Sequence, residues 1–432
     1  MTTASSPPSK ARRILFALIP LALLLVIATV ALNKLEEEDV IDTKRPDDRV
    51  AYVDGGVLFL KTLNGRMYWT ISDPHLVRSA FPAEKDKNTY RIVIAGGSFA
   101  MGSPYVHQDQ KIPAYGDIGS WLRAILTLRY PGTNFEVINA GAGAQNSERV
   151  RQIVGILRDA TPDLVVVAMG NNEGYVPPTV LNEKLHQWIV YRALKKTLLS
   201  SPSPEQRPYF APQDENTAKI EANFQNNVKQ IVAETREAGI ALGLATLPIN
   251  WRYFGRGALA VTEEMLQPDP PLTKGDKLCE GKQYDEALAS YAESDKPELA
   301  AFFTARCLEQ KGDYEQAKEY YRAYVQTLPL NRTRPSYNAF VRQIATNEKV
   351  LLFDLEKLAD DLAPHDIAEP SLFFDYCHLT WQGYYHMADR IARQIAEAGV
   401  LPASCGAPRA NPTMERIIRH FGWQALLALD IR

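Results

Sequence analysis

Three times before residue 170 a short apolar run ends in a glycine-containing loop and gives way to a stretch of helical periodicity. The first run is Ile92-Val93-Ile94-Ala95, closed by Gly96 and Gly97. The second is Phe135–Asn139, closed by Asn139-Ala140-Gly141-Ala142-Gly143-Ala144, and the third is Leu164–Ala168, closed by Gly170-Asn171-Asn172-Glu173. Short runs of this kind suit strands buried on both faces of a parallel sheet. The spacers read as amphipathic helices at Ile118–Arg129, ended by Tyr130-Pro131-Gly132, and at Ser147–Asp159. Such alternation argues for a doubly wound parallel sheet. Farther on, Asn216–Ala238 reads as a long helix, Ile240–Thr246 as a fourth strand and Val350–Asp354 as a fifth. Trp381–Ala398 and Asn411–Leu429 read as the closing helices.

Open α/β sheets bind ligands in the crevice at the carboxyl ends of their strands. Ser98 stands there, directly after Gly96 and Gly97. Gly97 and Gly102 have the spacing of a phosphate-binding loop, but Ser103 follows where that loop needs a lysine. Acyl transfer asks instead for a nucleophile, a base, a group that orients the base and donors for an oxyanion. Phe374-Asp375-Tyr376-Cys377-His378-Leu379-Thr380 follows the fifth strand and precedes a helix. Asp375 and His378 are three apart, so one turn brings the carboxylate against the imidazole and fixes its tautomer. His75, His186, His386 and His420 read as loop or structural residues.

In order, Ser98 in GGSFAMG, the NAGAGAQNS loop, Gly170-x-Asn172 and Asp375-x-x-His378 resemble the blocks of the SGNH/GDSL hydrolase superfamily. The resemblance covers roughly residues 90–255 and 340–400. It implies a flavodoxin-like three-layer α/β/α fold with Ser98 as nucleophile, His378 as general base and acid, and Asp375 as its orienter. Asn172, the backbone N–H of Ser98 and the N–H of Ala144 would form the oxyanion hole. Two positions depart from the family pattern. Gly97 stands where the family name specifies Asp, and the usual oxyanion glycine aligns with Ala144, one residue after Gly143. Glu173 is read as a buttress of its loop or as a surface ion-pair partner.

The remaining features concern setting. Ile14–Leu32 runs without a charge behind Lys10, Arg12 and Arg13 and ahead of Glu36, Glu37, Glu38 and Asp39. It is long enough to cross a bilayer, and the charge bias would leave the N-terminus cytoplasmic and the catalytic domain extracytoplasmic. A cleaved signal peptide ending near Thr29-Val30-Ala31 is the competing reading. Val57–Leu60 and Met67–Ile71 read as a hairpin around Asn64-Gly65. Leu185–Leu199 reads as a helix and Ser200–Pro208 as a loop.

Between the fourth and fifth strands, Gly275–Pro329 holds two similar units with Gly281 and Gly312 at matching turns. They resemble tetratricopeptide helix pairs, and two pairs are too few for a self-standing solenoid, so they are expected to pack on the α/β domain. The expected division is 1–33 anchor, 34–89 arm, 90–255 first part of the hydrolase domain, 256–335 helical insertion and 336–432 second part with a closing helix. Cys279, Cys307, Cys377 and Cys405 form no CxxC pair; bridges Cys279–Cys307 and Cys377–Cys405, or four buried thiols, are both open. A net charge of -3 gives no support for nucleic-acid binding.

Together these readings give an exported, membrane-anchored serine ester hydrolase with no cofactor and no metal. Its partners would be an ester-bearing small molecule or an acylated glycan, the membrane, and a protein at the insertion. The alternatives are an acyltransferase or deacetylase acting on an extracytoplasmic glycan, and a scaffold on an inactive fold of this type.

Overall fold

The computed structural model describes residues 10–37, 58–71, 80–106, 115–174, 188–198, 214–256, 259–260, 269–330 and 332–428. His75, His186 and the loop Ser200–Pro208 lie outside them. The chain divides into two units. The smaller comprises Met1–Asp54 and Pro177–Arg207. Its described parts are helix α1 (Lys10–Glu37) and a helix at Ile189–Leu198 (α5 in chain order), which touch each other.

The expectation of a single-pass anchor at Ile14–Leu32 is corrected by the structure. Among the described residues no helix is long and apolar enough to cross a membrane. The extracytoplasmic placement of the catalytic domain that accompanied this anchor is withdrawn with it.

The larger unit opens with a three-stranded antiparallel sheet of β1 (Leu58–Leu63), β2 (Arg66–Ile71) and β3 (Ala80–Pro82). Asn64 and Gly65 take positive φ at the β1–β2 turn, as the Asn-Gly signal requires. The main sheet contains β4 (Thr89–Gly96), β5 (Asn134–Gly141), β6 (Leu164–Ala168), β7 (Ala241–Thr246) and β10 (Leu351–Asp354). The two-residue strands β8 (Gly255–Arg256) and β9 (Leu259–Ala260) form a separate pair. The main sheet is parallel throughout, in the spatial order β10-β7-β6-β4-β5. Counted along the sheet's own strands this is 2-1-3-4-5, the flavodoxin-like order, and its direction reverses between β4 and β6.

Alternation along β4 divides the core. Ile92 and Ile94 face a layer built by α3 (Ile118–Arg129) and α13 (Trp381–Glu397), through Trp121, Leu122, Ile125, Met387 and Ile391. Val93 and Ala95 face α4 (Ser147–Leu157), α6 (Glu215–Glu237) and α11 (Pro335–Glu348), through Val150, Ile153, Phe224, Val228 and Val341. Each such apolar side chain contributes roughly 1.5–3 kcal/mol when fully buried. α12 (Leu355–Asp361) follows β10 directly, and α14 (Met414–Phe421) closes the described chain apart from a short 3-10 turn.

Between β9 and α11 stand two helix pairs: α7 (Pro270–Glu280) with α8 (Tyr284–Ala292), and α9 (Pro297–Lys311) with α10 (Tyr314–Thr327). The second pair shares the sheet's core through Phe302, Tyr321, Tyr324 and Leu328. The first has a core of its own, with Leu272, Ala287, Tyr291 and Phe303. Cys279 is bonded to Cys307, while Cys377 and Cys405 are buried free thiols. The matching glycine turns differ: Gly312 takes positive φ, whereas after α7 it is Lys282 rather than Gly281 that does so.

Candidate active site

The site lies at the point where the strand order reverses. Gly96, the last residue of β4, pairs across to Ala168 on β6 and to Gly141 on β5. A Cβ on Gly96 would lie 2.0 Å from the Ala168 carbonyl oxygen, so only glycine fits there. The chain then turns at once into α2 (Ser98–Met101), with Ser98 as its first residue. The first N–H groups of a helix have no intrahelical acceptor, which leaves the Ser98 amide available. Asn139 holds this turn from β5. Its Nδ2 donates to the Met101 carbonyl (3.0 Å) and to Asp117 (3.1 Å), and its Oδ1 accepts from the Gly141 N–H (3.0 Å).

His378 and Asp375 arrive from the other end of the chain. Phe373 and Leu379 form an antiparallel bridge, and the Phe374 N–H donates to the His378 carbonyl (2.8 Å), closing a tight loop between them. Thr380 then caps α13 by accepting from the Gly383 N–H (3.2 Å). Within the loop, Asp375 Oδ1 accepts from the N–H groups of Cys377 (2.8 Å) and His378 (2.7 Å). Its Oδ2 lies 2.7 Å from His378 Nδ1, and His378 Nε2 lies 2.8 Å from Ser98 Oγ. Ser98, His378 and Asp375 are thus in one line of hydrogen bonds across 280 positions of sequence.

Electrostatics follow from these contacts. Burial works against ionising Asp375, but the hydrogen bonds and charge of His378 and the Cys377 N–H prevail and hold its pKa below the usual carboxylate range. For His378 burial disfavours the imidazolium, while the Cys377 sulfur and the Asp375 carboxylate act the other way and push its pKa up to about 10. This favours the imidazolium formed when His378 takes a proton.

Asn172 and Ala144 both have positive φ, 69° and 55°. Asn172 Nδ2 and the Gln145 carbonyl oxygen each lie 3.4 Å from where a Cβ on Gly97 would sit, so the loops after β5 and β6 meet beside the serine. That is ordinary van der Waals distance, and the φ of Gly97 is negative, so neither the space for a Cβ nor the backbone demands glycine there. Glu173 is buried and does not form a surface ion pair. It accepts from the N–H (3.0 Å) and Oγ (2.6 Å) of Ser147. Burial raises its pKa to about 7, against the lowering effect of Ser147.

Asp375, Cys377 and His378 offer a carboxylate, a sulfur and an imidazole within 4.8 Å of one another, a donor set that suits a soft divalent ion. Both ring nitrogens already have partners in Asp375 and Ser98, and an ion would have to displace one of them. A cleft of about 580 Å³ opens elsewhere, lined by Arg252, Phe254, Arg306, Glu309, Tyr314 and His365 among others. It contains none of the aligned groups, and its Arg252 and Glu309 are paired at 2.7 Å.

Asn250, Arg332 and Thr333 also touch the site's loops, and no motif announced them. Asn250 Nδ2 donates to the Asp375 carbonyl (3.1 Å). Their only signal in the sequence was polarity at the two ends of the insertion, close to predicted strand and helix boundaries.

No protein-family model and no curated protein matches the chain. Thirty-one chains of solved structures resemble it. They include a catalytic mutant of an acetylxylan esterase from Geobacillus stearothermophilus (12% identity, TM-score 0.36, 71% of this chain and 94% of that one). Others are an acetyl xylan esterase (14%, 0.33, 71% and 99%) and an alpha/beta hydrolase enzyme from the metagenome of Lake Arreo, Spain (14%, 0.36, 72% and 96%). Likenesses this loose do not assign an activity; the distances around Ser98 have to do so.

Proposed function

We propose that the chain is a serine ester hydrolase of the SGNH/GDSL type. The observation that carries this reading is the unbroken line from Ser98 Oγ through His378 to the Asp375 carboxylate. Ser98 Oγ attacks the ester carbonyl while its proton passes to His378 Nε2. Asp375 holds the Nδ1–H and stabilises the imidazolium. The oxyanion accepts from Asn172 Nδ2 and from the N–H groups of Ser98 and Ala144. His378 returns the proton to the departing alcohol, which leaves Ser98 acylated. Water, deprotonated by His378, then cleaves the acyl-enzyme to acid and free serine.

The test is hydrolysis of p-nitrophenyl acetate by Ser98→Ala. We expect kcat to fall by about 10⁴-fold or more with the melting temperature unchanged, because the nucleophile acts as a unit with its base. Wild-type turnover in that variant would refute the reading.

A further inference from the structure

The two halves of the proposed site come from separate loops, and among the described residues no hydrogen bond joins these loops directly. One half is Asp375–His378; the other is the loop after β6 that carries Asn171 and Asn172. Both are held by the stretch that leads from α10 into α11. On the oxyanion side, the Gly174 N–H donates to the Leu330 carbonyl (3.0 Å) and the Thr333 N–H donates to Asn171 Oδ1 (2.6 Å). On the acid–base side, Arg332 Nη2 reaches the carbonyls of Asn250 (3.4 Å) and Tyr376 (3.5 Å). Asn250 in turn donates to the Asp375 carbonyl. The Arg332 guanidinium also sits 5.5 Å from the ring centres of both Tyr253 and Tyr376, and the Tyr376 ring is 6.3 Å from that of His378.

Arg332 is an unusual choice for a packing residue. It is 2% exposed, has no carboxylate within ion-pair distance among the described residues, and its Nη1 has no hydrogen-bond partner. A buried cation without a counter-charge costs stability. Rings and backbone carbonyls compensate only in part. We propose that Arg332 and Thr333 are positioning residues that set the acid–base half of the site against its oxyanion half. The proposal deepens the ester-hydrolase reading and rests on it. Arg332 acts through Tyr376 and Asn250 on the loop bearing His378; Thr333 acts through Asn171 on the loop bearing Asn172. The second helix pair leads directly into this strut.

The decisive variants are Arg332→Met, Arg332→Lys and Asn171→Ala, assayed with p-nitrophenyl acetate beside wild type and Ser98→Ala. A displacement of about 1 Å at reacting groups costs about 100-fold, so Arg332→Met should lower kcat by about that factor. KM should stay within about twofold, because binding of the ground state is unaffected. The melting temperature should hold or rise, because a buried unpaired charge has gone. Arg332→Lys, which keeps a cation between the rings, should recover part of kcat. Asn171→Ala should also lower kcat at constant KM. A kcat for Arg332→Met near wild type, or kcat and melting temperature falling together, overturns the proposal and leaves an ordinary packing role. Should Arg332→Met fail to fold, Arg332→Lys decides: reduced kcat with retained melting temperature supports the strut, and wild-type kcat overturns it. Wild-type activity in Ser98→Ala would instead remove the ester-hydrolase reading, and the strut with it.

Discussion

The rim around Ser98 and the helical insertion are held together by different means. At the rim, backbones approach so closely that positions tolerate no added atom. Gly96 faces the Ala168 carbonyl, a Cβ on Gly141 would lie 2.1 Å from the Met101 nitrogen, and one on Gly102 would lie 2.1 Å from Asp117 Cβ. In the insertion, cohesion comes from side chains that reach one another. These are the Cys279–Cys307 bond, the Arg252–Glu309 pair at 2.7 Å, and the Phe254–Phe302 stack at 4.4 Å. The first kind of structure is most exposed to an added atom, and the second to a lost side-chain contact. Geometry matters most where the reaction would occur, and burial matters most where the chain only has to stay seated.

That contrast can be broken by substitution. The largest effect should come from Gly96→Ala. A methyl group 2.0 Å from a backbone carbonyl cannot be relieved by a rotamer change, so no folded protein is expected. Near-ultraviolet circular dichroism of the purified chain checks this, and a native spectrum would show that the rim yields. Next, Asn172→Ala should lower kcat by about 100–1000-fold with the fold intact, as loss of one oxyanion donor does; steady-state kinetics against a melting curve measures both.

Replacing Cys279 and Cys307 together by serine should reverse the pattern. It should cost about 2–4 kcal/mol in denaturant unfolding and leave kcat alone. A large loss of kcat there would mean that the two regions are less separable than their cores indicate. The smallest effect is at Glu173, whose folded pKa of about 7 lies above the ordinary 4.5. A carboxyl raised in this way contributes stability that is fully present below the unfolded value and is lost as pH rises through the folded one. Wild type should therefore lose stability between about pH 5 and 8, and Glu173→Gln should flatten that slope in melting curves taken across the range.

Legibility in the sequence follows the same division. The strands β4 and β6 were visible because burial on both faces demands uninterrupted apolar runs, while β5, interrupted by Glu136 and Asn139, is only partly buried and was legible through the glycine loop that closes it. Asp375 and His378 could be paired because a three-residue separation restricts geometry locally, whereas Ser98 was joined to them by the resemblance of the ordered blocks. The helix Pro335–Glu348 had a readable signal that went unused: proline at its first turn, then Tyr337, Val341, Ile344 and Ala345 on one face. Asn250, Arg332 and Thr333 had only their polarity near the ends of the insertion. Their partners are distant in sequence, and a buried arginine between two tyrosines leaves no periodic trace. The apolar run at Ile14–Leu32 shows the opposite failure, since hydropathy alone suggested a role that the described helices do not meet.

The separate interior of the first helix pair has a dynamic consequence. Phe254 touches Phe302 on one side and Phe303 on the other, and the Cys279–Cys307 bond ties α7 to α9. An element with an interior of its own can loosen, within the limit that this bond sets, while the parallel strands remain closed. Amide protons of α7 and α8 would then exchange with solvent through a local fluctuation that costs less than global unfolding, and the serine would not register the event.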